Sequence, residues 1–367
     1  MKLISDLIKI QSFSGNEEKI AEYIKNYLIK MGYSPVIYQG NVFLLIKGFD
    51  NKKGLILNAH MDTVQPGNDS LWNYPAYGNK AGIIKKGRVY GLGASDEKAS
   101  IASTLLLAKE LKNNKPKIDT WLTFVIKEEI DGSGSQSFIN WFKNNGYIKK
   151  YKQLAAIICE PTNLSSIKIG HRGNIFIKIT AIGDSGHGSQ PEKIKTNAIS
   201  EIIKVIYELE NLAKIWEHNY THPILGKPTI AITTIHGGSP LSPNQFAGSC
   251  SITVDIRTTP KLHHIAISSV KKTLIKFKVK INILYEPGLY GYTDFKNVFV
   301  KKVQQITKLT TKISNSSNDL CFFTNEQIPA VIFGPGNEEA IHQPNEYCEI
   351  KNIKKAVKVY QKIINPL

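Results

Sequence analysis

Short, largely apolar runs alternate along the chain with stretches of helical period. "GLILNAH" (54–60), "TWLTFVIKEE" (120–129) and "YKQLAAIICE" (151–160) read as strands buried on both faces of a parallel sheet. "SPVIYQ" and "VFLLIKG" are further strand-like runs. "KASIASTLLLAKELKNN" (98–114) and "GSQSFINWFKNNGY" (134–147) carry helical spacing. "SGNEEKIAEYIKNYLIKMG" opens with Ser14 and places Glu17 three residues on, which predicts a capped amphipathic helix. Strands that alternate with helices predict an α/β layered domain.

The texture changes near Gly170. "NIFIKITAIG" alternates like a half-exposed strand, and "TNAISEIIKVIYELENLAK" follows as a helix. "PTIAITTIHGG", "CSITVDIRT", "HHIAISSVKKTLIKF" and "KVKINILYE" then read as strand, strand, helix and strand. The order β-α-β-β-α-β is that of a ferredoxin-like sandwich. It predicts an inserted α+β domain over 170–285, with 1–169 and 286–367 forming the first domain around it. The helix "VFVKKVQQITKL", the strand "PAVIFGPG" and the helix "IKNIKKAVKVYQKII" complete that first domain.

A chain of 367 residues is long for a single core, which agrees with two domains. The net charge of +17 comes from lysines spread over the whole length, with no basic block interleaved with aromatics. That pattern describes a solvated surface and no nucleic-acid partner. No apolar run reaches membrane-spanning length, and the first residues lack the features of a signal peptide. Cys159, Cys250, Cys321 and Cys348 are scattered, so free thiols in a reducing cytoplasm are expected. Arginine occurs only at 88, 172 and 257. In a lysine-rich chain such positions are candidates for bidentate pairing.

Polar residues gather where the apolar runs stop. His60 ends one predicted core strand, Glu128 and Glu129 a second, and Glu160 a third. Ligands bind at the C-terminal strand edge of open α/β sheets. Asp96 lies in a glycine-bearing turn before a helix, and His342 in the loop after a further core strand. Histidine and carboxylate without thiolate suit borderline or hard divalent ions such as Zn, Mn or Co. Two ions need a bridge, which a carboxylate supplies and an imidazole does not; Asp96 is the natural one. Of the adjacent pair Glu128 and Glu129, one would bind metal while the other accepts a proton from water.

The pattern "AHMDTV…GLGASDEKAS…IKEEIDGSG…CEPTN…SGHGSQP…HQPNEY" resembles the M20 metallopeptidases, in particular the acetylornithine deacetylase / succinyl-diaminopimelate desuccinylase group. The resemblance runs over essentially the full chain. It implies a zinc-hydrolase catalytic domain with a mixed central sheet flanked by helices, and an inserted lid or dimerisation domain. It implies two divalent metal ions, Zn first and Co or Mn as alternatives. His60 and Glu160 would hold one, Glu129 and His342 the other, with Asp96 between them. Glu128 would be the general base and Asp62 the acid that fixes the His60 tautomer. In the insertion, His187 matches the histidine that reaches a dimer partner's active site to stabilise the oxyanion. Asn244 and Arg257 match substrate-holding positions, and Gly334, Pro335 and Gly336 would shape the backbone beside the substrate. Two departures stand out: Leu92 replaces a usual arginine, and "DEKA" replaces "DMKG".

The implied reaction is hydrolysis of an amide in a small N-acyl amino acid by a homodimer. Glutamate at 160 goes with deacylases and carboxypeptidases, whereas aminopeptidase branches use aspartate. "HQPNEY" resembles the "HQPDEY" of acetylornithine deacetylases, while "GHRGN" departs from the "GRRGS" of desuccinylases. N-acetylornithine or a related N-acyl basic amino acid therefore ranks first and N-succinyl-diaminopimelate second. A dipeptidase or carboxypeptidase is the alternative. A non-catalytic binding relative would have lost a ligand or the base, and all six residues are present. "HGGSP" at 236 has no accompanying Gly-x-Ser-x-Gly, and "GLG" at 91–93 lacks the rest of a dinucleotide fingerprint.

Overall fold

The structure, a computed structural model, describes residues 1–365. It divides into two compact units. One comprises Met1–Gly170, Gly291–Ser314 and the chain from Asn318 on; the other comprises His171–Tyr290 and Asn315–Ser317.

The first unit is built on a nine-stranded mixed sheet flanked by helices. Its spine is four parallel strands in the order Ile118–Val125, Asp50–His60, Gln153–Pro161 and Ala330–Gly334. His60 lies opposite Val125, and Asn58 opposite Ile158, so the strands' C-terminal ends share one edge. Antiparallel Asn41–Ile46 and Ile167–His171 border this spine.

The unbroken aliphatic runs follow from burial on both faces. Ile56, Trp121, Ile158 and Ile332 pack with Phe138 and Phe323 in one apolar cluster. Trp121 also donates to Tyr151 Oη at 3.0 Å. Truncating such a side chain to alanine costs about 3–5 kcal/mol. Helix Lys98–Asn113 is buried along most of its length, and its Ser100 hydroxyl donates to the carbonyl of Cys159. Tyr360 of helix Ile350–Ile364 donates to the carbonyl of Phe333.

Two local expectations change. The strand expected to reach Glu129 stops at Val125. Lys127 takes a left-handed φ of 56°, and its carbonyl accepts from Asp131 and Gly132, so Glu128 and Glu129 sit in a turn. Nor does Ser14 cap the first long helix. That helix runs Glu18–Lys30 without a side-chain cap, and the Ser14 hydroxyl donates instead to Asp62.

The second unit is a four-stranded antiparallel sheet ordered Val279–Ile283, Gly173–Ile182, Ser249–Thr258, Thr229–Gly237. In chain order these are its fourth, first, third and second strands, a ferredoxin-like arrangement. Ile177, Ile179, Val254 and Ile256 pack against Val205 and Leu209 of helix Ala198–Tyr220 and Val270 of helix Ala266–Thr273. Among the described residues no helix is long and apolar enough to cross a membrane.

Candidate metal centre

His60 is the last residue of its strand and 2 % exposed. Its Nδ1 lies 3.0 Å from the backbone carbonyl of Asp62, with the Asp62 carboxylate at 3.4 Å. A proton on Nδ1 donated to that carbonyl leaves the Nε2 lone pair directed at acids. Asp96 Oδ1 is 2.9 Å from Nε2, and Glu160 Oε1 is 3.7 Å away. The His60 tautomer is thus set first by the backbone of Asp62.

The Asp62 carboxylate has other partners. It accepts the backbone N–H of Glu128 at 3.0 Å, that of Glu129 at 3.1 Å and the Ser14 hydroxyl at 2.7 Å. One buried acid therefore joins the His60 strand end to the Glu128–Glu129 turn. Glu17, expected to help cap its own helix, accepts from the backbone N–H of Lys127 at 3.1 Å and steadies the same turn.

Asp96 lies in the turn before helix Lys98–Asn113, with a cis Asp96–Glu97 peptide. Glu346 holds this turn from behind: its carboxylate accepts from the backbone N–H groups of Gly93, Ser95 and Asp96 at 2.7–2.9 Å. Gly336 packs against the carbonyl of Ser95, and Gly334 against that of Cys159, so closely that a Cβ at either position would collide. Glycine at these two positions lets the chain following Ala330–Gly334 lie between the Glu160 strand and the Asp96 turn.

His342 has a φ of 56° and a side chain 46 % exposed. Its Nε2 is 2.9 Å from Glu129 Oε1 and 3.4 Å from Asp96 Oδ2. The donors form two groups, His60–Asp96–Glu97–Glu160 and Asp96–Glu129–His342, each with its ligand atoms within 4.8 Å of one another. Asp96 belongs to both, as a bridge must. Among the described residues Glu128 belongs to neither group, while the charges of Glu160 and Glu129 reach its carboxyl.

The electrostatics call for cations. Burial pushes the carboxyls of Glu97, Glu128 and Glu160 well above the ordinary range, and their mutual repulsion adds to it. Burial also opposes ionisation of Asp96, but wherever no cation takes the Nε2 lone pairs the surrounding acids keep His342 and His60 protonated, and their hydrogen bonds hold the Asp96 carboxyl low. Glu97 accepts the backbone N–H of His60 at 2.7 Å through Oε1; its buried Oε2 has no hydrogen-bond partner among the described residues. Imidazole and carboxylate donors crowded at this density, with one oxygen orphaned, fit a pair of divalent cations.

Three further acids were not singled out from sequence: Glu97, Glu346 and Asp319. The "DEKA" departure and the "HQPNEY" motif contain the first two. Asp319 Oδ2 accepts from Ser135 Oγ at 2.6 Å and Asn58 Nδ2 at 3.1 Å, which links the helix after the Glu128 turn to the His60 strand.

In the second unit, His187 lies in a two-residue strand paired with Gln245–Phe246. Its ring is held between Ser189 Oγ at 2.7 Å and Asn244 Nδ2 at 3.3 Å, so these two sequence candidates form one cluster. Arg257 is instead engaged by Asp255, with Nε and Nη2 each 2.9 Å from one carboxylate oxygen. Its planar fork already serves a pair within its own strand.

Known proteins extend the picture. An acetylornithine deacetylase of Vibrio atlanticus is 27% identical over 366 residues, covering 96% of this chain and 92% of that protein. A tripeptidase of Staphylococcus aureus superposes with a TM-score of 0.78 at 21% identity, covering 99% of this chain and 96% of its own. A dinuclear metal-binding peptidase of Bacillus subtilis superposes with a TM-score of 0.70 at 15% identity, covering 99% and 96%. The model of peptidase family M20/M25/M40 matches residues 56–365, and with the fold and the doubled donor set in place the chain belongs to that family of metal-dependent amide hydrolases.

Proposed function

We propose that this hydrolase removes the N-acyl group from an amino acid, with N-acetylornithine or a related N-acyl basic amino acid first and N-succinyl-diaminopimelate second. The observation that carries the chemistry is Glu128, an acid outside both donor groups whose backbone is fixed by Asp62. The similarity to proteins named acetylornithine deacetylase over nearly the whole chain supports the substrate class.

His60, Asp96 and Glu160 would hold one cation and Asp96, Glu129 and His342 the other, with zinc as the native metal and cobalt or manganese as substitutes. When bound, the cations supply Lewis-acid polarisation of the scissile carbonyl and acidify the attacking water. Glu128 takes the proton from that water as its oxygen bonds to the acyl carbon. The Glu128 carboxyl then gives the proton to the nitrogen as the C–N bond breaks. The acid product gives up the water's remaining proton to the released amine, so the acyl group leaves as a carboxylate and the amino acid with its amino group protonated. His187, held by Ser189 and Asn244, is assigned donation to the carbonyl oxygen. Asn244 and Arg257 are assigned to substrate binding, Arg257 by exchanging its Asp255 partner for the carboxylate of the amino acid, and Gly334 and Gly336 to the backbone beside it.

The chain acts as a homodimer assembled through the second unit. Its four cysteines, all free and buried, are suited to a reducing cytoplasm. A peptidase reading is favoured by one observation, that the solved structures it resembles include a tripeptidase. The test is amine release from N-acetylornithine, N-succinyl-diaminopimelate and a dipeptide panel by zinc-reconstituted protein, with Glu128→Gln as blank. Dominant turnover of an acylated amino acid is expected, and turnover of peptides alone would transfer the assignment to the peptidase reading.

A further inference from the structure

Glu97 lies in the "DEKA" stretch, where the motif the chain resembles has methionine. Here the side chain is 1 % exposed. A carboxylate buried to this degree is unfavourable unless both oxygens find partners. Oε1 has one, the backbone N–H of His60 at 2.7 Å. Oε2 has none among the described residues. One oxygen of Glu97 also lies within 4.8 Å of the ligand atoms of His60, Asp96 and Glu160. The lysine next in sequence does not neutralise it by direct contact: Lys98 Nζ donates to the carbonyl of Ile10 at 2.7 Å.

We propose that Glu97 is a fourth protein donor at the His60–Asp96–Glu160 subsite, anchored through Oε1 and presenting its second oxygen to the cation. This rests on the metal-centre reading above and adds to it. The subsite then holds one imidazole and three carboxylates, while the Glu129–His342 subsite holds one imidazole and two, Asp96 being common to both. Carboxylate-rich sites shift relative affinity toward harder ions such as Mn²⁺. The two subsites should therefore differ in preference, the Glu97 side tolerating manganese better.

The test is calorimetric titration of chelator-treated protein with Mn²⁺ and with Zn²⁺, without substrate, for wild type, Glu97→Gln and Glu97→Met. Glu97→Gln retains an oxygen for the His60 N–H and removes the charge; Glu97→Met installs the family's side chain. In both, one of two binding events should weaken at least about tenfold, more for Mn²⁺ than for Zn²⁺, while the other event stays near wild type; in Glu97→Gln, which keeps an acceptor for the His60 N–H, the melting temperature of the metal-free protein also stays near wild type. Two ions bound to wild type and unchanged binding in Glu97→Gln would make Glu97 a backbone acceptor only and overturn this inference, leaving the metal centre intact. Equal weakening of both events would overturn it as well. A wild type that binds neither ion would remove the metal-centre reading and this inference together.

Discussion

The carboxylate of Asp62 accepts the backbone N–H of Glu128 at 3.0 Å while the carbonyl of the same aspartate faces His60 Nδ1, also at 3.0 Å. One residue thereby sets the imidazole of a proposed ligand and the placement of the proposed base. Asp62→Asn preserves the shape but offers one acceptor oxygen to three donors, those of Glu128, Glu129 and Ser14. Leaving a buried N–H unpaired costs about 1–3 kcal/mol. Loss of a group that orients a ligand costs roughly 10- to 100-fold in activity or metal affinity. We expect kcat to fall within that range and KM to change little, measured by steady-state amine release. A wild-type kcat in a folded Asp62→Asn protein would show that the clasp is not needed.

The reasons some of this was legible in the sequence, and some not, are physical. Strands buried on both faces leave unbroken aliphatic runs, so the strands ending at His60 and carrying Glu160 are visible as soon as those runs stop. The Glu128–Glu129 turn is not, because its left-handed Lys127 carries no sequence mark. The Ser14–Glu17 pattern has the spacing of a helix cap, yet its side chains serve Asp62 and Lys127, partners remote in sequence. Glu97, Glu346 and Asp319 lie in turns, at a helix start or in a loop, where periodicity says nothing about burial. A polar side chain there is read as solvated until the fold closes over it.

Asp319 gives a pH-dependent prediction. Burial lifts its carboxyl to about 6 from 3.8. A folded-state value above the unfolded one means that the folded protein binds the proton more tightly. The stabilisation is full below the unfolded value and is lost as pH rises through the folded one. Relative to Asp319→Asn, wild type should therefore lose stability between about pH 4 and 6 and remain level above, by at most about 3 kcal/mol. Denaturant titrations of both proteins from pH 4 to 8 measure this; a constant difference would contradict it. The negative charge of Asp319 also raises the Glu128 carboxyl. Its removal should move the acid limb of kcat/KM to lower pH.

Asn345 fastens the loop that precedes strand Ile83–Lys85 to the turn that carries His342. Its Oδ1 accepts the N–H of Asn73 at 2.6 Å, and its Nδ2 donates to the carbonyl of Leu71 at 3.0 Å. An aspartate, the residue that "HQPDEY" would place here, keeps the first bond and turns an oxygen toward the Leu71 carbonyl. Asn345→Asp should cost about 0.5–1.5 kcal/mol and accelerate amide exchange across residues 69–74. It should also weaken one metal-binding event slightly, the His342 one. Unchanged exchange in that segment would show that the tether contributes nothing.

The second unit has two sheet edges of opposite character. Strand Val279–Ile283 carries exposed Lys280, a charge that discourages pairing with another edge. Strand Thr229–Gly237 has no charged lysine or acid along its length and exposes Ile235 at 53 %. Beside its end, Ile199 lies 3.4 Å from where a Gly237 Cβ would stand, and Ile199, Ile203 and Tyr207 form an exposed stripe at helical spacing. An unguarded edge next to an apolar helix stripe is suited to a two-fold pairing in which each copy contributes the same strand and helix. Light scattering should therefore find a dimer in wild type and a monomer in an Ile203→Glu, Ile235→Lys variant with a near-wild-type melting temperature. His187→Ala and Glu128→Gln should each be inactive alone. Mixed after dissociation and reassembly, they should regain activity, because the mixed dimer pairs an intact Glu128 in one subunit with an intact His187 in the other. A monomer active at every concentration, or a mixture that stays inactive, would mean that each chain is self-sufficient.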